Sequence, residues 1–384
     1  MGKPQELQLH VIDQEVKEEK SGQYQINSKK VASHEPRNYK WWISIIMYAF
    51  FVISGQSAST MLGRLYYDKG GKSVWIATLS QLAGFPILLP CYCLAPPISC
   101  TKNVQIQQPS ALIMALVYFS FGIGLAAYTF MSAIGLLHLP VSTFSLVCAS
   151  QLAFNALFSF FLHSQNFTPF ILNSLVLLTI SSTLLIFQTN PATHTEVSKG
   201  NYAIGFACTL GASAAYGLML PLTQLTFKKL LKGDQTRAKV FEIVIYQSLV
   251  ATLAAIVGLF TSGEWKCLST EMSEFELGKF SYVMTLVETA IASQFFVVGA
   301  IGLIFEVSSL FSNAISVLGL PVIPILAVFF FHDRMDAVKV VAMVLAIWGF
   351  VSYVYQCYLE NNNSKNECLS GSEVSKSPLL EEVG

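Results

Sequence analysis

Residues 133–144 read AIGLLHLPVSTF and residues 300–311 read AIGLIFEVSSLF. Each stretch closes one apolar run and opens the next, and the two share small and hydroxyl positions as well as aliphatic ones. A helix crossing a hydrocarbon slab of roughly 30 Å needs about 20 apolar residues. Outward from these two stretches, ten runs of about that length stand out: 41–62, 74–95, 110–131, 142–162, 167–187, 201–222, 240–262, 280–302, 308–331 and 337–359. The third and fourth runs therefore echo the eighth and ninth. A displacement of five spans is odd, so the two copies sit upside down relative to each other. That is the inverted-repeat plan of secondary transporters, with a substrate site near the bilayer midplane. The fold class expected is an all-α membrane protein: ten transmembrane helices as two inverted five-helix repeats, about 41–187 and 201–359.

Composition agrees with a bilayer protein. The 384 residues are 53% hydrophobic and 12% charged, against roughly 25% charged in an ordinary soluble domain. Lys+Arg and Asp+Glu stand at 23 each, so no basic stripe points to a nucleic-acid partner. The charges crowd at the ends, 13 in residues 1–40 and 7 in residues 360–384. Those segments are expected to be a disordered cytoplasmic leader and tail flanking a transporter domain at 41–359. An even number of spans puts both tails on one side. With the tails inside, Lys+Arg number 15 inside and 8 outside, which the positive-inside rule favours. The loops alone split 6 to 8, so the orientation leans on the leader and on Lys228, Lys229, Lys232, Arg237 and Lys239. The sequons at Asn166 and Asn362 would then face the cytosol. The polar leader lacks the apolar core of a secretory signal. Most of the eight cysteines, Cys91, Cys93, Cys148, Cys208 and Cys357 among them, read as small packing residues inside apolar runs.

The polar residues inside the runs are amides, hydroxyls and phenols. Lys and Arg are missing there apart from Lys339 at the edge of the last run, which argues against phosphorylated or strongly anionic cargo, since such cargo needs cationic clamps. Gln151 and Asn155 are four apart and share a helix face, as do Gln56, Ser59 and Gly63 in the first run. Gln81, Tyr128, Tyr216, Gln247, Gln294 and Asn313 add hydrogen-bonding groups at other depths. A buried amide in hydrocarbon must find partners, either by tying helices together or by lining a site, and site lining is the reading taken for Gln151 and Asn155. Amides can read a neutral heteroaromatic edge in bidentate fashion while aromatic side chains stack on its face. Glu288 is the one carboxylate well inside a run, and an intramembrane carboxylate is a functional group by default. It is a candidate to take up a proton, with a hydrogen bond to Thr285 as the plainer role. Glu306, beside Ser308 and Ser309, is the second candidate, or a cap for the next helix. Pro86, Pro90, Pro321 and Pro324 interrupt the second and ninth runs, and Gly122, Gly124, Gly211 and Gly217 thin others. No HExxH, GxSxG or Walker A pattern occurs, and His138, His163 and His332 lie at run edges without paired ligands. Neither an enzyme, nor a cofactor, nor a metal site is expected.

Three stretches carry a resemblance: LGRLYYDKGGKSVWIATLSQLAGFPILLP at 62–90, LPVSTFSLVCASQLAFNALFSFF at 139–161 and LIFEVSSLFSNAISVLGLPVIPILAVFFFHDRM at 303–335. Together they closely resemble the plant purine permease family, a branch of the drug/metabolite transporter superfamily. The resemblance implies a ten-helix carrier of adenine, cytokinins and related ring compounds, coupled to protons and placed in the plasma membrane. Gln81, Gln151, Asn155, Glu306 and Asn313 fall inside the matching motifs. Glu288 does not, and family members often show an aromatic residue there. The substrate-binding candidates are Gln56, Gln81, Tyr128, Gln151, Asn155, Gln294 and Asn313, with Glu306 ahead of Glu288 for the proton. The alternatives are a carrier of the same superfamily for another metabolite such as a nucleotide sugar, and a membrane receptor or scaffold that transports nothing.

Overall fold

A computed structural model describes residues 35–94, 110–163, 199–230 and 237–332, with isolated positions between 173 and 180 and between 337 and 355. Among the described residues every regular element is helical and no strand occurs. The run predicted at 167–187 lies largely outside the described residues, as do the leader and the tail, and the run at 337–359 is described at scattered positions, all helical. The chain divides into two compact units between Met47 and Tyr48. Of the first, residues 35–47 are described, as the opening turns of a helix.

The helices are α1 (Glu35–Asp68), α2 (Val74–Leu82), α3 (Leu89–Leu94), α4 (Ala111–His138), α5 (Val141–Cys148), α6 (Gln151–His163), α7 (Lys199–Lys229), α8 (Arg237–Ser262), α9 (Leu268–Glu274), α10 (Gly278–Glu306), α11 (Ser309–Gly319) and α12 (Val322–Phe331). Seven helical segments among the described residues are long and apolar enough to cross a bilayer, and the apolar stretch Val74–Leu88 is shorter. Their outward faces carry large apolar side chains, such as Phe50, Leu112, Phe161, Phe280 and Phe329. A water-soluble surface rarely gathers such a band, whereas lipid solvates it.

Several helices outrun their predicted ends. The first continues to Asp68, six residues past Leu62, because Arg64 is held on both sides. Its Nε pairs with Asp68 one turn on, at 2.8 Å. Its Nη1 donates to the carbonyls of Leu136 and Leu139, both at 3.1 Å, where the last turn of α4 leaves carbonyls without helical partners. Likewise α7 runs past Leu222 to Lys229, with Lys228 and Lys229 in its final turn, where cations suit the helix dipole.

The proline expectations describe the breaks in runs two and nine. After α2 the chain turns at Ala83–Gly84 into a 3₁₀ turn, Phe85–Leu88, with Pro86 in its first positions. Pro321 occupies the turn between α11 and α12. A further break, at Ala149–Ser150 between α5 and α6, has no proline. There Ser145 Oγ donates to the Ser142 carbonyl at 3.0 Å and Ser150 Oγ to the Val147 carbonyl at 2.8 Å. Such local bonds compete with the helical ladder.

Small residues let backbones touch where no hydrophobic force drives helices together in lipid. A Cβ on Gly55 of α1 would stand 2.6 Å from Phe296 N and 2.7 Å from Ala292 O of α10. The apolar cluster of Leu136, Leu139, Phe144, Leu152, Val317 and Ile323 joins the α4–α5–α6 segment to α11 and α12, around the first of the two echoing stretches.

Candidate functional site

Between α1, α2, α4, α7, α8 and α10, with Phe144, Cys148, Gln151 and Leu320 from the broken helices, lies a cavity of about 110 Å³. One water needs only about 10–15 Å³, so the space admits a multi-atom ligand. Its polar wall is made of amides and hydroxyls: Gln56, Gln81, Gln151, Gln247, Tyr128 and Tyr216, supplemented by Ser132, Ser213, Ser293 and Thr223. None of the described lining residues is Asp, Glu, Lys, Arg or His. An aromatic wall faces the same space. The Tyr128 and Tyr216 rings lie 5.2 Å apart between centroids, and Tyr216 stacks on Phe296 at 5.8 Å.

Of the sequence-predicted site residues, Gln56, Gln81, Tyr128 and Gln151 line the cavity, while Asn155, Gln294 and Asn313 do not. Asn155 and Asn313 are both completely buried, and each is engaged by the opposite helix. Asn155 Nδ2 donates to the Ser309 carbonyl at 3.1 Å, and Asn313 Nδ2 donates to the Gln151 carbonyl at 3.0 Å. Residues four apart on α6 thus meet residues four apart on α11 in antiparallel order, a reciprocal clasp. Gly217 of α7 presses on the same turn, because a Cβ there would stand 2.9 Å from Asn155 N and 3.0 Å from Gln151 O. Sharing a helix face does not bring both amides to this cavity: Gln151 lines it, while Asn155 is turned to the Ser309 main-chain carbonyl of α11. Gln294 is buried on α10 against the Gly84 turn, and its Oε1 has no hydrogen-bond partner.

The two carboxylate candidates separate as well. Glu288 is exposed on the surface of α10. Thr285, its plainer partner, instead donates to the Ser281 carbonyl at 2.8 Å. Glu306 is half-buried at the C-terminal end of α10. The next helix is capped by Ser308, which accepts from Phe311 N–H at 3.1 Å.

Residues 43–363 match the family described as purine nucleobase transmembrane transport. The chain belongs to that family. A probable purine permease 10 of Arabidopsis thaliana is 54% identical over 93% of this chain and 92% of its own length. Purine permease 21 of the same plant is 56% identical over 88% of this chain and 86% of its own. These relatives are named as permeases, transport proteins rather than enzymes. With its apolar helices, this family member is an integral, multi-pass membrane protein whose cargo is of purine type.

Some polar contacts that hold the helices of this purine transporter together escape sequence reading. Gln224 Oε1 accepts from both the N–H and the Oγ–H of Ser309, at 3.0 and 2.6 Å, and so caps α11. It lies beyond the predicted end of the sixth run, and the following lysines were the signal that the helix goes on. Ser59 and Ser293 bond across α1 and α10 at 2.8 Å. Glu271 is buried on the short α9, where it accepts from Tyr66 and Tyr282 hydroxyls and, at 3.3 Å, from Ser73 N–H. Nothing in its local sequence, EWKCLSTEMSEFE at 264–276, distinguishes it from its acidic neighbours.

Proposed function

We propose that this protein carries purine bases and related heteroaromatic compounds across a membrane by alternating access, with the cavity as the binding site. The observation that carries the reading is the wall itself: amides, hydroxyls and aromatic rings, with no ionised side chain among the described lining residues. A neutral ring with donors and acceptors on its edge can be read by amides and stacked by aromatics. A phosphorylated or nucleotide-sugar cargo would meet no cation there. Gln56, Gln81, Tyr128 and Gln151 are the residues proposed to touch the substrate. Asn155 and Asn313 support the wall from behind, and Gln294 offers a free acceptor near it.

The architecture proposed is ten helices in two inverted repeats over 41–187 and 201–359, between a cytoplasmic leader at 1–40 and a tail at 360–384, in the plasma membrane. The antiparallel, reciprocal clasp of α6 and α11 supports it. So does the hydrogen bond of Asn173 to Ser352 at 3.1 Å, which links the fifth run to the tenth. A glycan at Asn166 or Asn362 would contradict cytoplasmic termini.

Proton coupling is part of the proposal, and cytokinins are proposed alongside adenine as cargo. Glu306 is preferred over Glu288 because it is half-buried and lies in a family motif, whereas Glu288 sits on the exposed surface of α10. The test is uptake of labelled adenine by yeast lacking its own purine carrier, with and without a protonophore. Concentrative uptake abolished by the protonophore is the expected result, and equilibrating uptake that ignores it would leave a facilitator. Absence of uptake for any ring compound would favour a receptor.

A further inference from the structure

Ser316 of α11 is completely buried behind the cavity wall. Its hydroxyl accepts from Gln151 Nε2 at 3.0 Å and donates to Gln56 Oε1 at 2.9 Å. A hydroxyl has a single proton. Having donated it to one amide oxygen, Ser316 can hold a second amide only through that amide's N–H. The two glutamines are therefore fixed in opposite senses. The end of Gln56 left over is its NH₂ group, a donor. The end of Gln151 left over is its carbonyl oxygen, an acceptor. Both residues belong to the wall, one from α1 and one from α6. Gln151 is restrained at its main chain too, where its own carbonyl is held by Asn313 at 3.0 Å.

We infer that Ser316 is a positioning residue for specificity. By orienting this amide pair it selects rings whose edge offers a hydrogen-bond acceptor beside a donor, as a ring nitrogen beside an exocyclic N–H does. The inference rests on the carrier reading above and names what that site discriminates. Gln56 would donate to the ring nitrogen while Gln151 accepts from the exocyclic N–H. A ring with an ether oxygen in place of the amine sets acceptor against acceptor at Gln151, and a buried polar group left unpaired is costly. Without Ser316 either amide can turn over and show its other end, so the mismatched ring is no longer penalised.

The experiment compares adenine with 6-methoxypurine as competitors of labelled adenine uptake in yeast, for wild type and Ser316→Ala. Wild type is expected to prefer adenine by at least about fivefold, and Ser316→Ala to bring the ratio of apparent affinities to within about twofold. Ser316→Thr, which keeps the hydroxyl, should restore the preference. A role in packing alone would weaken both rings alike and leave the ratio unchanged. If Ser316→Ala does not reach the membrane, Ser316→Cys preserves the size with a weak donor and gives the same readout. An unchanged ratio in a transporting variant, or a wild type without preference, overturns the inference while leaving the carrier reading intact. Uptake of neither ring by the wild type overturns the carrier reading, and this inference with it.

Discussion

At the turn that follows α1, a carboxylate gathers the surrounding donors. Glu271 takes the Tyr66 and Tyr282 hydroxyls and the Ser73 amide, Glu264 takes Ser73 Oγ and Trp75 N–H, and Lys69 and Lys72 pair with Glu276 and Glu274 at 2.8 and 3.1 Å. At the crossing of α6 and α11 the same task of satisfying buried polar groups is done without any charge: Asn155 and Asn313 donate to main-chain carbonyls, and Ser316 links two glutamines. The helix-end cluster stands where water can solvate its outer members. The crossing is fully buried, where an unpaired ion would be costly. The two regions thus satisfy buried polar groups by different means, a carboxylate near the helix ends and neutral amides and hydroxyls at the crossing.

The largest effect is expected where the charged region is buried. Glu271→Ala removes the acceptor of the Tyr282 hydroxyl and the Ser73 amide, at about 1–3 kcal/mol per group, and leaves Tyr66 only the Ser73 carbonyl at 3.2 Å, so the detergent-solubilised protein should melt at a markedly lower temperature. Glu271→Gln keeps an acceptor oxygen and should lie between the two. Equal melting of Glu271→Ala and wild type would erase the distinction between the regions.

Next comes the cavity wall. Gln151→Ala removes an amide proposed to read the ring and should raise the KM for adenine by about 5- to 150-fold, equivalent to about 1–3 kcal/mol. The amount of protein in the membrane should stay as in the wild type. Asn155→Ala, one turn away, should behave oppositely: a thermal stability loss of about 0.6–2 kcal/mol with KM unchanged. Were Asn155→Ala to change KM as much as Gln151→Ala, the division between wall and clasp would fail.

The smallest effect belongs to the exposed ion pairs. Both partners of Lys72–Glu274 are more than half exposed, at 75% and 55%, and exposed pairs contribute little. Lys72→Ala should leave melting temperature and uptake indistinguishable from wild type, and a clear loss in either would show that the pair belongs to the buried network.

These differences bear on what a single sequence reveals. Apolar length announces the seven long helices among the described residues, and prolines announce the breaks at 83–88 and 320–321, because both signals are local. The break at Ala149–Ser150 is quieter, since serines that bond back to their own helix look like any other small residues. The division between Gln151 and Asn155 is not legible at all. Both are amides on one helix face, and only the approach of Ser309 and Asn313 from residues more than 150 positions away decides which of them meets the cavity. Glu271 is hidden for the same reason, as its partners come from α1, the following turn and α10. The exposure of Glu288 is equally hidden, because position along a helix does not say which side of that helix packs inward.

The central claim is that the neutral cavity holds the ring. An experimental structure with adenine bound tests it most directly. The account predicts the ring within that cavity, beside Tyr128 and Tyr216, with the Gln56 and Gln151 amides about 2.7–3.2 Å from its edge. Adenine bound elsewhere, or in the cavity without contact to either amide, would contradict it.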